Sequence, residues 1–144
     1  MKSLVTLVML AALCACSHEK SPPLEISKVR ILAAMPGSEA GVAYMEIKNN
    51  SMDSVTIMSI SSPQFENVEM HETTIVDGIA RMRPFETLVI PGRTTATFES
   101  GSKHLMLVGT KPDVGPGSLV TLEIRHNNGL LVVSATLQAR LPSN

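Results

Sequence analysis

Short stretches in which apolar and polar residues alternate follow one another along most of the chain. Between residues 119 and 125, Val120, Leu122 and Ile124 alternate with polar residues, a period of two that gives a β-strand one apolar and one polar face. Gly, Pro, Asn and Asp interrupt the pattern about every ten residues, which is typical of a β-sandwich or barrel. The predicted strands are Ile26–Leu32, Val42–Ile47, Ser54–Ile60, Val68–Val76, Ile79–Arg83, Thr94–Glu99, His104–Val108, Leu119–Arg125 and Leu130–Leu137. The pattern therefore predicts an all-β fold.

Two turn sequences set the register of neighbouring strands. Asp77-Gly78 is a pair favoured in two-residue hairpin loops, because both positions need a positive φ. If these two residues form such a loop, His71 faces position 84 of the next strand. The stretch Asn127–Gly129 predicts a second turn, between the last two strands.

The first residues carry the features of an export signal. Lys2 precedes an apolar run over residues 4–13, about half of the roughly 20 residues that a membrane-spanning helix needs, which predicts a secretory signal peptide. The run ends in Leu13-Cys14-Ala15-Cys16, which resembles a bacterial lipobox and implies lipid attachment at Cys16. Cys14 fits less well, because a large apolar residue would directly precede it. An ordinary cleaved signal with an incidental Cys is the alternative.

These features divide the chain into four parts. We expect a signal peptide at 1–15, a lipidated Cys and flexible tether at 16–24, one ordered domain at 25–141 and a tail at 142–144. Such a protein would be bacterial, exported to the periplasm and held to a membrane by its lipid. Ser17 follows the lipidated Cys. By analogy with enteric bacteria, the absence of Asp at that position favours the outer membrane.

Charge and cysteine usage exclude several classes of function. Formal net charge is −1, with 12 Lys and Arg against 13 Asp and Glu, so no basic surplus is available to bind nucleic acid. Cys14 and Cys16 both precede the domain, so the domain has neither a disulfide nor a thiolate metal ligand. No catalytic triad, carboxylate pair or phosphate loop stands out. The unusual feature is nine Met in a chain with only 3% aromatic residues.

Two histidines stand beside methionines in positions that strands would bring together. His104 and Met106 share one face of their predicted strand, while the neighbouring leucines point into the core. In the hairpin, Met82 is two residues from the partner of His71, a diagonal separation of roughly 7–8 Å that long side chains bridge. Two imidazoles and two thioethers form a soft, neutral donor set that suits Cu(I) better than Zn, Mg or Ca. Thioethers also persist in an oxidising compartment, where paired thiols form disulfides.

The same residue types have a simpler interpretation. Met often fills irregular gaps in a protein core, and we expect Met45 and Met58 to pack there. We expect His126, beside the Asn-Asn-Gly turn, to be solvated. A metal-free envelope β-sandwich that binds a partner through its loops therefore stays open as an alternative to a metal site.

The spacing of the four donors resembles the signature of the PCuAC-type periplasmic copper chaperones. Ten residues separate His71 from Met82, twenty-one separate Met82 from His104, and one separates His104 from Met106. The resemblance covers about residues 26–137, nearly the whole domain. The surrounding sequences are similar to the family's landmarks, in the same order: Val29-Arg30, Pro36-Gly37, Ala43-Tyr44-Met45, Val68-Glu69-Met70-His71-Glu72, Met82-Arg83-Pro84, Ile90-Pro91 and His104-Leu105-Met106-Leu107.

The resemblance implies a cupredoxin-like Greek-key β-sandwich or barrel that binds one Cu(I) per chain through His71, Met82, His104 and Met106. It also implies delivery of copper to respiratory oxidase assembly, at the Cu-A site of cytochrome c oxidase subunit II, directly or with Sco-type copper proteins. Such a protein is a carrier and not an enzyme, and we expect a monomer. Some members carry a further thioether at the position of Met70, which makes it a candidate auxiliary ligand. Strand alternation nevertheless points Met70 to the opposite face.

The chain departs from the family's pattern in two places. Lys103 stands where an aromatic residue commonly precedes the final His, which affects how the site is shielded from water. The last residues carry no His or Met, so we expect no second copper. An electron-transfer cupredoxin would need a thiolate, which the domain lacks. Copper storage or detoxification would use the same ligands and is an alternative function. Because copper must leave as well as bind, we predict an open site at the surface.

Overall fold

The computed structural model describes residues 22–140, which form ten β-strands. All nine predicted strands are present, with bounds that differ by up to three residues, and the all-β prediction is confirmed. Within residues 22–140, no helix of the length and apolarity needed to cross a membrane is found. The expected signal peptide, the lipidated Cys16 and the tail at 142–144 lie outside the described residues. The strands are β1 Leu24–Leu32, β2 Ala40–Asn49, β3 Val55–Ser61, β4 Phe65–Val76, β5 Ile79–Phe85, β6 Leu88–Ile90, β7 Thr95–Phe98, β8 Lys103–Thr110, β9 Leu119–His126 and β10 Gly129–Gln138.

The strands pair in the order β5-β4-β8-β2-β1-β10-β9-β3-β6, and β7 also pairs with β2. All pairs are antiparallel except β1 with β10, where Ile31 lies opposite Leu137. This parallel pair joins β5-β4-β8-β2-β1 to β10-β9-β3-β6. Neighbours that are distant in sequence, such as β4 and β8, are typical of Greek-key connections.

One apolar core lies between the two groups of strands. Leu105 and Leu107 of β8 and Leu122 and Ile124 of β9 are fully buried in a single cluster. Their even spacing is the period-two alternation of strands with one face in the core. The residues between Leu105 and Leu107 and on either side of them therefore project from the other face of β8. Met45 is fully buried in the same cluster, as expected.

Two expectations about single side chains are wrong. Met58 was expected in the core but is 44% exposed, because the pairing of β3 with β9 shifts register between Ile57 and Ser59. Met58 is the extra residue of this β-bulge, and a bulge turns such a residue out of the alternation. His126 was expected to be solvated but is buried at the end of β9. Its Nδ1 lies 3.3 Å from the backbone N–H of Asn128, which donates to it.

Strand β6 was not predicted, because three residues are too few to show a period. It pairs with β3 and is also held by Asn49, a fully buried polar side chain at the end of β2. The Asn49 amide donates to the carbonyl oxygens of Asp53 at 2.8 Å and Ile90 at 2.9 Å. Its Oδ1 accepts hydrogen bonds from the backbone N–H and the hydroxyl of Ser51. Asn49 thus ties β2 and β6 to the loop that precedes β3.

Candidate metal centre

Strands β4 and β8 bring the two candidate histidines together. His71 lies directly opposite His104 in this antiparallel pair, and their ring centroids are 6.0 Å apart with the planes tilted by 43°. Glu69 lies opposite Met106 in the same register. Because alternate residues of a strand share a face, Met106 projects beside His104, as predicted.

The β4–β5 hairpin brings the fourth candidate residue to the same face. Asp77 and Gly78 have φ values of 54° and 76°, which suit a two-residue turn between right-twisted strands. His71 consequently pairs with Pro84, as predicted, and Thr73 pairs with Met82. Met82 is therefore diagonal to His71 across the hairpin.

A surface pocket of about 280 Å³ lies next to these side chains. Met82, His104 and Met106 line it, whereas His71 stands beside His104 and outside the lining. The other lining residues come from the loop before β2, from β2 and β4, from the turn before β8 and from the end of the described chain: Ser38, Ala40, Gly41, Val42, Tyr44, Thr73, Ser100, Gly101 and Arg140.

The four side chains differ in their exposure to solvent. His71 and His104 are only 9% and 6% exposed, whereas Met82 is 54% exposed. Met106 is half-buried. The predicted open site is therefore open on the side of the β4–β5 hairpin, where Met82 lies, and closed over the imidazoles.

The ring of His104 is oriented by a backbone carbonyl. Nδ1 of His104 lies 3.0 Å from the carbonyl oxygen of Ser102 and donates to it, which leaves the lone pair on Nε2. The same oxygen also accepts a hydrogen bond from the backbone N–H of Thr73, in β4, at 3.1 Å. Gly101, with a φ of 80°, allows the turn that presents this carbonyl.

The ring of His71 is oriented by a carboxylate. Nε2 of His71 donates to Oε2 of Glu69 at 2.8 Å. Nδ1 of His71 is the one buried side-chain nitrogen or oxygen in residues 22–140 that has no hydrogen-bond partner. Leaving such an atom unpaired costs about 1–3 kcal/mol. A buried lone pair without a proton donor is suited to a soft metal ion, so the residues present fit the copper that the donor set implies.

Two further residues named from the sequence lie away from this face. Met70 is buried in the core cluster, on the opposite face of β4 from His71, as strand alternation indicated. Lys103 forms an ion pair with Glu72 at 2.9 Å. Since Glu72 and Lys103 are the register pair next to His71 and His104, they lie on the other face of the sheet. Lys103 therefore does not cover the imidazoles.

Sequence reasoning did not single out Glu69 or Asn67, which support His71. Both lie on its face of β4 at intervals of two residues, so the alternation that placed Met106 beside His104 would also have found them. Within residues 22–140, no three His, Cys, Asp or Glu side chains are grouped in a way that could hold a metal ion.

The sequence model of a family described as "Putative lipoprotein LpqE-like" matches residues 24–136. The chain therefore belongs to the LpqE-like family. A relative named "Putative lipoprotein Lxx21020", from Leifsonia xyli subsp. xyli, is 25% identical over 107 residues, which cover 74% of this chain and 63% of that protein. The chain thus spans less than two thirds of the length of this relative. Both descriptions agree with the lipoprotein character predicted from the N-terminal sequence.

Two solved structures share the fold. The copper-bound PCuAC domain from PmoF2 aligns with a TM-score of 0.66 at 17% identity, covering 83% of this chain and 95% of that chain. The solution structure of CuI-DR1885 from Deinococcus radiodurans aligns with a TM-score of 0.63 at 24% identity, covering 85% of this chain and 83% of that chain. The resemblance to PCuAC domains that the sequence indicated is confirmed in the fold.

Proposed function

We propose that this member of the LpqE-like family is a Cu(I) carrier of the bacterial envelope, with one Cu(I) per chain held by His71, Met82, His104 and Met106. The observation that carries the proposal is the arrangement of these side chains. Three strands bring two imidazoles and two thioethers to one face of the sheet, with the imidazoles directly opposite each other at 6.0 Å.

The chemistry of these donors suits Cu(I). All four are neutral and two are thioethers, a set that favours a soft monovalent ion over Zn, Mg or Ca. Among residues 22–140, the buried Nδ1 of His71 has no hydrogen-bond partner, so binding a cation there would satisfy an atom that these residues leave unpaired. Two proteins with this fold, the copper-bound PCuAC domain from PmoF2 and CuI-DR1885, carry copper, and this adds support.

The unequal exposure of the ligands suggests how copper leaves. Met82 is half-exposed on the hairpin, whereas the imidazoles are buried. A thiolate or thioether of a receiving protein would displace Met82 first, and the remaining ligands would then be exchanged one at a time. We propose that the receiver is a respiratory oxidase under assembly, at the Cu-A site of subunit II, directly or through a Sco-type protein.

The location of the carrier follows from its N-terminal sequence. Lipid attachment at Cys16 would hold it in the periplasm on a membrane, the outer one being favoured, and residues 16–24 would serve as the tether. In this proposal the chain acts as a monomer and as a carrier without catalytic activity, and it binds no nucleic acid. Copper storage or detoxification is the alternative that uses the same ligands.

Cu(I) binding tests the site. The mature chain, residues 16–144 with Cys16→Ser to remove the lipid and the thiol, would be titrated under reducing conditions against a Cu(I) chelator. We expect one tightly bound Cu(I), and weaker binding in His104→Ala and Met106→Ala. Met52→Ala is the matched control, because this thioether is 77% exposed in the loop after β2 and lies outside the pocket lined by Met82, His104 and Met106.

The outcomes separate the candidate functions. Equal weak binding by all four proteins would contradict the copper site and would favour the alternative of a metal-free β-sandwich module. If copper binds as expected, the loaded chain would be mixed with the apo Cu-A domain of an oxidase subunit II, and copper would be measured in each protein after separation. Copper found in the Cu-A domain supports delivery. Copper that stays on the chain contradicts direct delivery, and then favours either storage or transfer through a Sco-type protein. Mixing the loaded chain with a Sco-type protein distinguishes these two, because only an intermediate would take up the copper.

A further inference from the structure

We propose that Glu69, held by Asn67, is a positioning residue that fixes the tautomer of His71 and leaves Nδ1 as its copper-binding atom, whereas His104 binds through Nε2. This inference rests on the proposed function, because it assigns atoms and a supporting residue to the same copper site. It gives the two imidazoles opposite orientations toward the metal.

A short chain of hydrogen bonds runs along one face of β4. Asn67, Glu69 and His71 are at intervals of two residues and therefore project from the same side of the strand. The amide of Asn67 donates to Oε1 of Glu69 at 2.7 Å. Nε2 of His71 donates to Oε2 at 2.8 Å. Both oxygens of the carboxylate are thus used, one to hold the carboxylate in place and one to hold the imidazole.

This arrangement determines where the proton of His71 lies. An ionised carboxylate only accepts hydrogen bonds, so Nε2 must carry the hydrogen, and in the neutral ring the lone pair is then on Nδ1. Nδ1 is buried and has no partner within residues 22–140. Histidines that bind metals usually donate their other N–H to a carboxylate or carbonyl, which fixes the ring and strengthens the donor nitrogen. Glu69 is the carboxylate that accepts this hydrogen bond from His71.

His104 has the complementary arrangement. Its Nδ1 donates to the carbonyl oxygen of Ser102 at 3.0 Å, so its lone pair is on Nε2. One ring is therefore held through Nε2 by a side chain, and the other is held through Nδ1 by the backbone. Since a backbone carbonyl cannot be removed by substitution, Glu69 is the support of the site that mutation can test.

A matched control lies on the same strand. Glu72 is one residue from His71, but it belongs to the other face of β4 and pairs with Lys103 at 2.9 Å. The side chains of Glu69 and Glu72 are similarly exposed, at 40% and 44%. Removing either carboxylate changes the net charge equally, and only Glu69 contacts a candidate ligand.

The experiment combines a metal-free measurement with a copper measurement on the mature Cys16→Ser chain. ¹⁵N NMR of the histidine side chains in the apo protein reports which ring nitrogen carries the hydrogen. We expect the Nε2–H form for His71 and the Nδ1–H form for His104. In Glu69→Ala the His71 signals should move toward a mixture of tautomers. In Glu72→Ala the His71 signals should match those of the parent chain.

Cu(I) competition then tests the effect on binding. Loss of a supporting partner of a metal ligand typically weakens metal binding about 10–100-fold. We expect a loss in this range for Glu69→Ala, a smaller loss for Asn67→Ala and none for Glu72→Ala. Glu69→Gln is the second variant if Glu69→Ala unfolds. It keeps the size of Glu69 but removes the charge of the carboxylate, and a neutral amide is a weaker hydrogen-bond acceptor, so we expect weakened binding there also.

Two results would overturn the inference: an Nδ1–H form of His71 in the apo protein, or equal Cu(I) affinity in Glu69→Ala and Glu72→Ala. Failure of the proposed function looks different. In that case the parent chain itself would bind no copper, and the copper role of Glu69 would fall with it. The NMR measurement would still show whether the hydrogen bond between Glu69 and His71 holds the ring.

Discussion

His71 and His104 lie opposite each other in the register of β4 and β8, and their ring centroids are 6.0 Å apart. The pairing of these two strands places the imidazoles side by side on the face of the sheet that is directed away from the core. Met82 and Met106 reach the same face from β5 and β8. The site is therefore a product of strand register, and it lies beside the exposed hairpin through which copper would enter and leave.

Oxidation of the methionines should report on both fold and site. With limited peroxide, we expect sulfoxide to form first at the exposed methionines, whereas buried Met45 and Met70 stay protected. The exposed methionines are Met35, Met52, Met58 and Met82. Addition of Cu(I) should slow oxidation at Met82 and leave Met52 and Met58 unchanged. Peptide mass spectrometry measures each position. Oxidation of Met82 at the same rate with and without copper would contradict its role as a ligand.

Met82→Leu should separate copper binding from stability. Leu is close to Met in volume but has no thioether, and half-exposed positions contribute little to folding, so we expect the free energy of unfolding to change by less than about 0.5 kcal/mol. Cu(I) affinity should fall. Chelator competition and urea unfolding of the same preparation measure the two quantities. A stable variant with the affinity of the parent chain would argue that copper is held without Met82.

The two methionines of contrasting burial should differ in their effect on stability. Met45→Ala removes a fully buried side chain of the core, and such truncations cost about 2–5 kcal/mol. Met58→Ala changes an exposed bulge residue, for which we expect a change within about 0.5 kcal/mol. Chemical denaturation of both variants tests this. Similar losses in both would mean that the bulge does not turn Met58 out of the core.

Asn49→Ala should destabilise the connection between β2 and β6. The substitution removes the amide that donates to the buried Ile90 carbonyl, and one of the two donors of the Asp53 carbonyl, which keeps the Ser51 hydroxyl at 2.8 Å. Each unpaired buried polar group costs about 1–3 kcal/mol. Asn50→Ala is the control, because the Asn50 side chain makes only exposed hydrogen bonds. We expect a large loss of unfolding free energy in the first variant and little change in the second, as measured by urea unfolding.

Gly92→Ala should also destabilise this region, for a steric reason. A Cβ at Gly92 would collide with the carbonyl oxygen of Met52, so the backbone must move. Overpacking of this kind costs about 1–3 kcal/mol, and occasionally more. At Gly115 an added Cβ meets nothing within 4 Å. Thermal unfolding should therefore show a lower midpoint for Gly92→Ala than for Gly115→Ala, and equal midpoints would contradict the close approach.

Local sequence determined the parts of this protein that depend on neighbouring residues. Alternation of apolar and polar residues defined nine of the strands, because a strand exposes its two faces in turn. Asp77 and Gly78 determined the register of the β4–β5 hairpin and with it the place of Met82 relative to His71. The spacing of two His and two Met carried the resemblance to a copper-binding family whose fold the structure shares.

Only the tertiary structure decided what depends on distant residues. No local pattern says that β4 lies beside β8, so the pairing of His71 with His104 depends on hydrogen bonds between strands that are remote in sequence. Burial of the imidazoles and exposure of Met82 follow from that packing. The bulge that turns out Met58 arises where β3 pairs with β9. Side chains of one strand share a face by local geometry, but whether that face binds a metal depends on which strands lie next to it.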